Sequence, residues 1–430
     1  MRRKMRPHQT IPAPLSGLPQ TDSPVVVDAA IIGAGPSGAV AAALLKKWGR
    51  SVVVLERQHF PRFSIGESLL PQCMAFLEEA GMLNAVIEAG FQYKNGALFW
   101  RNQQTATFDF RDKHSTGWGT TYQVERATFD DLLIREAAAN GVDVRFGHTV
   151  TAIETGDGPV LSVLNEAGQA YRVEARFVFD ASGFGRVLPR LLDLEVPVQA
   201  PTRSALFTHI RDETTLPIDR SKIAIVIHPD DHAIWYWRIP LANGRSSIGC
   251  VAEMAHLDVP EEARNARLRQ LIREEPTLGR HFGDAAFLMP VRHLSGYAAN
   301  VSRLHGPGYA LLGNAGEFLD PVFSSGVTIA LRSAHLAAHV LERQLNGAAV
   351  DWQTEYELPL RKGIDTFRAF VERWYTGAFQ DIIFHAQQTP SIRRMLSAIL
   401  AGYAWDESNP YARDAARRLD ALHAVIRAAV

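Results

Sequence analysis

The spacing of apolar and polar positions changes period along the chain and marks out its elements. Val25-Val26-Val27-Asp28-Ala29-Ala30-Ile31-Ile32 is a nearly unbroken apolar run rich in β-branched residues, the pattern of a strand covered on both faces. Gly33-Ala34-Gly35-Pro36-Ser37-Gly38 follows, then an Ala/Leu-rich stretch to Trp48 whose composition favours helix, with Gly49 placed to stop it. Ser51-Val52-Val53-Val54-Leu55 predicts a second buried strand ending in Glu56-Arg57, so the opening unit is βαβ. From about 95 to 295 short strands alternate with turns, among them Ala97–Arg101, Thr105–Phe110, Ala205–Ile210, Ile223–His228 and Ile234–Ile239. From about 327 onward the pattern is mostly helical, with breaks at Pro390 and at Asn409-Pro410.

These elements predict an α/β chain in which a Rossmann-like nucleotide-binding module over 25–345 is interrupted by an antiparallel β-sheet substrate region at about 95–118 and 190–295. Residues 346–430 form a C-terminal helical region, and residues 1–24, with Arg2, Arg3, Lys4, Arg6 and five prolines, are expected to be a disordered tail. No apolar stretch follows that basic start, so it does not read as a secretory signal. Lys plus Arg number 45 against 46 Asp plus Glu, a net charge of −1 that argues against nucleic acid or an anionic membrane surface as partner. The two cysteines, Cys73 and Cys250, lie far apart and suggest neither a disulfide framework nor a metal pair, which fits a cytoplasmic protein.

Gly33, Gly35 and Gly38 form GxGxxG between the first strand and helix. The first glycine permits the tight turn, the second lets backbone approach a pyrophosphate, and the third lets the helix pack on the strand. The helix then offers free N–H groups and the positive end of its dipole to phosphate. Glu56, at the end of the next strand, suits ribose hydroxyls, and Arg57 beside it adds a cation.

Three later segments resemble FAD monooxygenase-like proteins. They are Val124-Glu125-Arg126 opening a helix, Val178-Phe179-Asp180-Ala181-Ser182-Gly183 at a strand end, and Leu311-Leu312-Gly313-Asn314-Ala315-Gly316 near the C-terminal third. The resemblance implies that Arg126, Asp180, Gly313 and Asn314 help to bind FAD. Asn314 stands where that superfamily usually has Asp, and an amide brings no charge to the flavin's hydroxyls.

Trp235-Tyr236-Trp237-Arg238-Ile239-Pro240 reads W-x-W-x-I-P, which on a strand sends Trp235 and Trp237 to one face and Tyr236 to the other. An aromatic core stripe is the plainer explanation of such a pattern. With the flavin motifs, however, it makes the chain resemble the flavin-dependent halogenases, whose W-x-W-x-I-P shields the flavin from organic substrate. Phe318-Leu319-Asp320-Pro321-Val322-Phe323-Ser324-Ser325-Gly326 is similar to that family's F-x-x-P-x-x-S-x-G, in which the amides at the positions of Ser325 and Gly326 hold halide. Phe63-Ser64-Ile65-Gly66-Glu67-Ser68-Leu69-Leu70-Pro71, followed by Phe91-Gln92-Tyr93-Lys94-Asn95-Gly96, resembles the phenol- and pyrrole-type branch and implies Lys94 as its essential lysine. The tryptophan-type branch has a glutamate just before its S-x-G, where this chain has Phe323.

The resemblance covers about 26–345 and implies reduced FAD, oxygen and chloride or bromide as reactants, with hypohalous acid directed by Lys94 onto an electron-rich phenol, pyrrole or indole. That ring is expected either free or tethered to a carrier protein. One dinucleotide fingerprint implies that a separate NAD(P)H:flavin reductase supplies reduced FAD. No metal is expected. Two rival enzymes share the flavin motifs: a geranylgeranyl-reductase-like enzyme, with Y-x-W-x-F-P on the equivalent strand, and an aromatic hydroxylase. A flavin-binding protein without catalysis is a third.

Overall fold

The structure is a computed structural model in which residues 24–198, 201–214 and 219–428 are described. The expected tail over 1–24 lies outside them except for its last residue. Val25–Ile32 forms the centre of a mixed sheet, parallel to Val52–Glu56 on one side and to Ala170–Asp180 on the other. Asp143–Phe146 and Tyr309–Leu311 extend the parallel set outward. Its Ala29–Ile32 half is fully covered because the helix Pro36–Lys47 packs on it, flanked by the helices Arg126–Ala139 and Ser325–Leu345. Ala, Val and Leu side chains at these contacts leave the helices close enough to exclude water.

A second sheet runs in the order Arg292–Ser295, Arg203–Arg211, Arg245–Glu253, Trp235–Leu241, Lys222–Ile227, Gly96–Arg101 and Gln104–Asp109. It contains all the strands expected between 95 and 295. One pairing departs from the antiparallel expectation: Lys222–Ile227 runs parallel to Gly96–Arg101, because a long excursion through the first sheet separates them in sequence. Alternation along Trp235–Leu241 works as the pattern demands. Trp235, Trp237 and Ile239 face the first sheet, while Tyr236 joins an outer core with Leu206, Ile248, Leu268 and Leu271 beneath the helix Arg264–Glu274.

The C-terminal helices share the main core. Trp352 stacks on Phe177 of the central sheet with ring centroids 4.5 Å apart. Phe323 meets Phe370, Trp374 and Phe379 edge-on. Pro390 and Pro410 occupy the first turns of their helices, where a missing N–H leaves no bond unmade. Among the described residues no helix is long and apolar enough to cross a membrane, and Cys73 and Cys250 are free and buried.

Candidate active site

A cavity of about 630 Å³ lies between the two sheets, within the usual range for a small-molecule site. One end is the glycine turn. Gly33, at φ +99°, leaves only 2.6 Å between a would-be Cβ and the Ala181 carbonyl, and a Cβ at Gly38 would strike the Gly33 carbonyl at 2.0 Å. Those two glycines pack strand, turn and helix together. Gly35 differs: a Cβ there would meet only the Arg62 side chain at 3.6 Å, and its backbone faces the cavity. Pro36 begins the helix, no side chain caps it and no acid sits in its first turn, so its N–H groups face an open space.

Glu56 closes the same end. Its Oε2 accepts the Ala34 N–H at 2.9 Å and its Oε1 the Gln58 N–H at 2.9 Å, which fixes the carboxylate at the cavity wall with lone pairs remaining. Arg57 and Asn314 also line the cavity. Arg126 lines it too, its guanidinium locked by Asp130 at 2.7 and 3.0 Å and by the Ile65 carbonyl. An uncapped helix start, a clear backbone approach at Gly35 and a fixed carboxylate opposite are what a dinucleotide such as FAD requires, so these residues fit the cofactor that the sequence implies.

Asp180 does not line the cavity. It is fully buried, with Oδ1 accepting the Ser182 N–H at 2.8 Å and Oδ2 the Leu188 N–H at 2.6 Å. Burial pushes its carboxyl above the ordinary range despite those bonds. It builds the turn beside Gly33 instead of lining the cavity. Gly313 likewise stands behind the wall, where a Cβ would press on Ala330 at 2.8 Å and where φ is +52°.

The middle of the cavity is aromatic. The Trp235 and Trp237 rings stand 6.0 Å apart on its wall, both almost wholly buried. Trp237 lies over its cross-strand neighbour Gly249, where a Cβ would be 2.3 Å from the indole, and its Nε1 donates to Ser247 at 3.1 Å. Trp235 Nε1 donates to Tyr375 Oη at 3.0 Å, and Tyr375 donates to Asp320 at 2.9 Å. Tyr375 was not among the residues singled out in the sequence, and Asp320 stood there only at an unassigned position of the 318–326 segment. A lone tyrosine at a helix end carries no signal until the helix docks.

The other end is the segment 318–326. Pro321–Phe323 makes one tight turn, Ser324 adopts the left-handed conformation at φ 56°, and the helix Ser325–Leu345 begins without a side-chain cap. Ser324 and Gly326 line the cavity, while the Ser325 side chain is buried behind it. Phe323 turns away into the aromatic core, and Glu317 is buried off the cavity against Arg361 and Arg368.

Lys94 ends the short strand Gln92–Lys94 and is wholly buried. Its Nζ donates to Ser68 Oγ and to the Leu69 carbonyl, both at 2.7 Å. Ser68 lines the cavity and Lys94 does not, so the amine stands one side chain behind the wall. Burial drives its pKa from the ordinary 10.5 down to about 7. On the same segment, Glu67 accepts from His209 at 2.6 Å; burial opposes the imidazolium, but this bond and the carboxylate charge raise it above its ordinary value.

Residues 26–356 match the family described as FAD binding domain. Among curated proteins, the chain is 30% identical over 359 residues to a tryptophan 2-halogenase of Chondromyces crocatus, covering 81% of this chain and 65% of that protein. A pyrrole-2-carbonyl chlorinase of Pseudomonas fluorescens, whose substrate rides on a peptidyl carrier protein, is 26% identical with 87% and 89% coverage. Among solved structures, a flavoprotein/dehydrogenase from Cytophaga hutchinsonii superposes with a TM-score of 0.90 at 42% identity, covering 94% of this chain and 99% of that one. The chain belongs to the FAD binding domain family, as a flavoprotein homologous to the flavin-dependent halogenases.

Proposed function

We propose that this protein is an FAD-dependent halogenase that uses reduced FAD, oxygen and chloride or bromide to halogenate an electron-rich aromatic ring. The observation that carries this reading is one cavity joining a dinucleotide cradle, a Trp235–Trp237 wall and the open helix start at Ser324–Gly326, with a buried amine directly behind it. The relatives' substrates, tryptophan and a carrier-bound pyrrole, are both electron-rich rings. Phe323 leaves no carboxylate where the tryptophan-type branch has one, which disfavours free tryptophan and leaves a ring of the phenol, pyrrole or indole type, free or carrier-borne. A separate flavin reductase delivers the reduced cofactor.

When bound, reduced FAD supplies activated oxygen able to oxidise halide to hypohalous acid. The chain's residues do the rest. Gly35, the following helix start and Glu56 hold the adenosine and phosphate end. The N–H groups of Ser325 and Gly326, at the positive end of a 21-residue helix, hold halide. Trp235 and Trp237 exclude the ring from the flavin and keep the space dry. Lys94 acts across the Ser68 edge of the wall. At a pKa of about 7 it exchanges readily between a donor that polarises the halogen and an amine that carries it.

The enclosure of Lys94 also favours a second reading. A flavin oxidoreductase of the geranylgeranyl-reductase kind, or an aromatic hydroxylase, would leave the amine idle, and the 42%-identical relative is described as a flavoprotein/dehydrogenase. The test is mass spectrometry of phenols, pyrroles and indoles incubated with the protein, FAD, a flavin reductase, NADH and oxygen, with and without bromide. A bromine isotope doublet that needs bromide and disappears in Lys94→Ala, while FAD binding persists, is the expected result. Oxygen insertion without halide would select the hydroxylase, and an undiminished doublet in Lys94→Ala would remove the lysine from the mechanism.

A further inference from the structure

Away from the cavity, three potential ligand groups converge between two helices. Glu79 ends the helix Cys73–Glu79, and His335 and His339 lie one turn apart on Ser325–Leu345. The two imidazole Nε2 atoms reach the same carboxylate, His335 at 2.8 Å and His339 at 2.6 Å, and one ligand atom from each residue lies within 4.8 Å of the others. We propose that Glu79, His335 and His339 form a binding site for an exchangeable divalent transition-metal ion, Zn²⁺ being the best match.

Two imidazoles at i and i+4 plus a carboxylate make a borderline-soft N₂O set with one position left for water, which zinc accepts in tetrahedral form. Ligands of a tetrahedral zinc at about 2.1 Å sit about 3.4 Å apart. The two imidazole–carboxylate pairs, at 2.8 and 2.6 Å, therefore need to part by less than about 1 Å, with the ion replacing two hydrogen bonds and all three donors already within 4.8 Å of one another. The rings are already oriented: His335 packs on Phe76 and His339 on Trp48, at centroid distances of 5.3 and 4.8 Å. Two features limit affinity and make the ion exchangeable instead of permanent. Arg332 places a cation near Glu79, and His335 Nδ1 has no hydrogen-bond partner among the described residues. A bound ion would staple the two helices roughly 15 Å along from the end that opens on the cavity at Gly326.

The experiment uses the full chain, free of any affinity tag and stripped of metal. It is titrated with Co²⁺, read by visible ligand-field absorption, and with Zn²⁺ in competition with a chromogenic chelator. His339→Gln and Glu79→Gln serve as variants, both partly exposed and checked for intact folding by circular dichroism. One Co²⁺ should give a tetrahedral-type spectrum that Zn²⁺ erases. Either variant should weaken that site at least about tenfold, since loss of a ligand costs no less than loss of a group that orients one. Zn²⁺ should also raise the unfolding temperature of the wild type and not of the variants. Unchanged affinity in both folded variants, or no site in the wild type at tens of micromolar ion, would overturn the proposal. Flavin chemistry is not needed for any readout, so the outcome is independent of the proposed activity.

Discussion

Lys94 carries an amine whose charge the fold opposes. The unfolded chain keeps its proton up to about 10.5 and the folded chain loses it near 7. Between those values the unfolded state binds more protons, so stability rises with pH. The cost of burying the ammonium is complete below the lower value and gone above the upper one. Lys94→Met should therefore stabilise the protein by on the order of a few kcal/mol at about pH 6, with the gain shrinking by about pH 9.5. Urea unfolding at the two pH values checks this; a constant difference would mean that the amine titrates normally. The same group gives the reaction a signature. Lys94-dependent bromination that climbs through neutral pH identifies the free amine as halogen carrier, and one that falls identifies the ammonium as donor. Asn314→Asp should tighten FAD binding several-fold, because a charged acceptor strengthens a hydrogen bond by about 1 kcal/mol. Fluorimetric FAD titration decides it. Gly33 and Gly38 were legible in the sequence because the close packing of strand, turn and helix leaves no room for a Cβ at either. What Asp180 bonds to was not legible, because a strand-end carboxylate has the same local pattern whether it faces a cavity or, as here, accepts from its own turn with both oxygens.

At the scale of the element, the tryptophan strand shows how a pattern becomes a wall. Period-two alternation separates Trp235 and Trp237 from Tyr236, and that was readable in advance. Why the indoles stay in place was not readable, because each is anchored from another element. Trp237 depends on Gly249 across the ladder. Gly249→Val should displace the ring, and the displacement should appear as loss of product selectivity together with a changed flavin spectrum. Trp235 depends on Tyr375, at the end of the helix Leu358–Tyr375, and through it on the buried Asp320. Tyr375→Phe leaves an indole N–H and a carboxylate oxygen short of a partner, which should cost about 1–3 kcal/mol. Chemical denaturation measures the loss. Unaltered stability would mean that the two groups find other partners.

At the scale of the whole molecule, the C-terminal helices are part of the site's support. They meet the nucleotide-binding sheet through Trp352 on Phe177, and the segment before the cavity helix through Phe323. A chain ending at residue 345 would expose those faces, and it should be insoluble or unable to bind FAD even though it retains every motif read from the sequence. Size-exclusion chromatography with flavin absorbance tests that. What the sequence determined by itself was whatever is encoded within one element or one turn: the βαβ opening, the glycine cradle, the strand periods and the two-faced tryptophan strand. These are set by local sterics and by side-chain period, which act between near neighbours in the chain. Only the tertiary structure decided the rest. It placed Lys94 behind Ser68, turned Asp180 inward, ran Lys222–Ile227 parallel to Gly96–Arg101 and brought Tyr375 to Trp235. Each of these depends on which distant surfaces are buried against one another, a competition of packing and desolvation that no local pattern records.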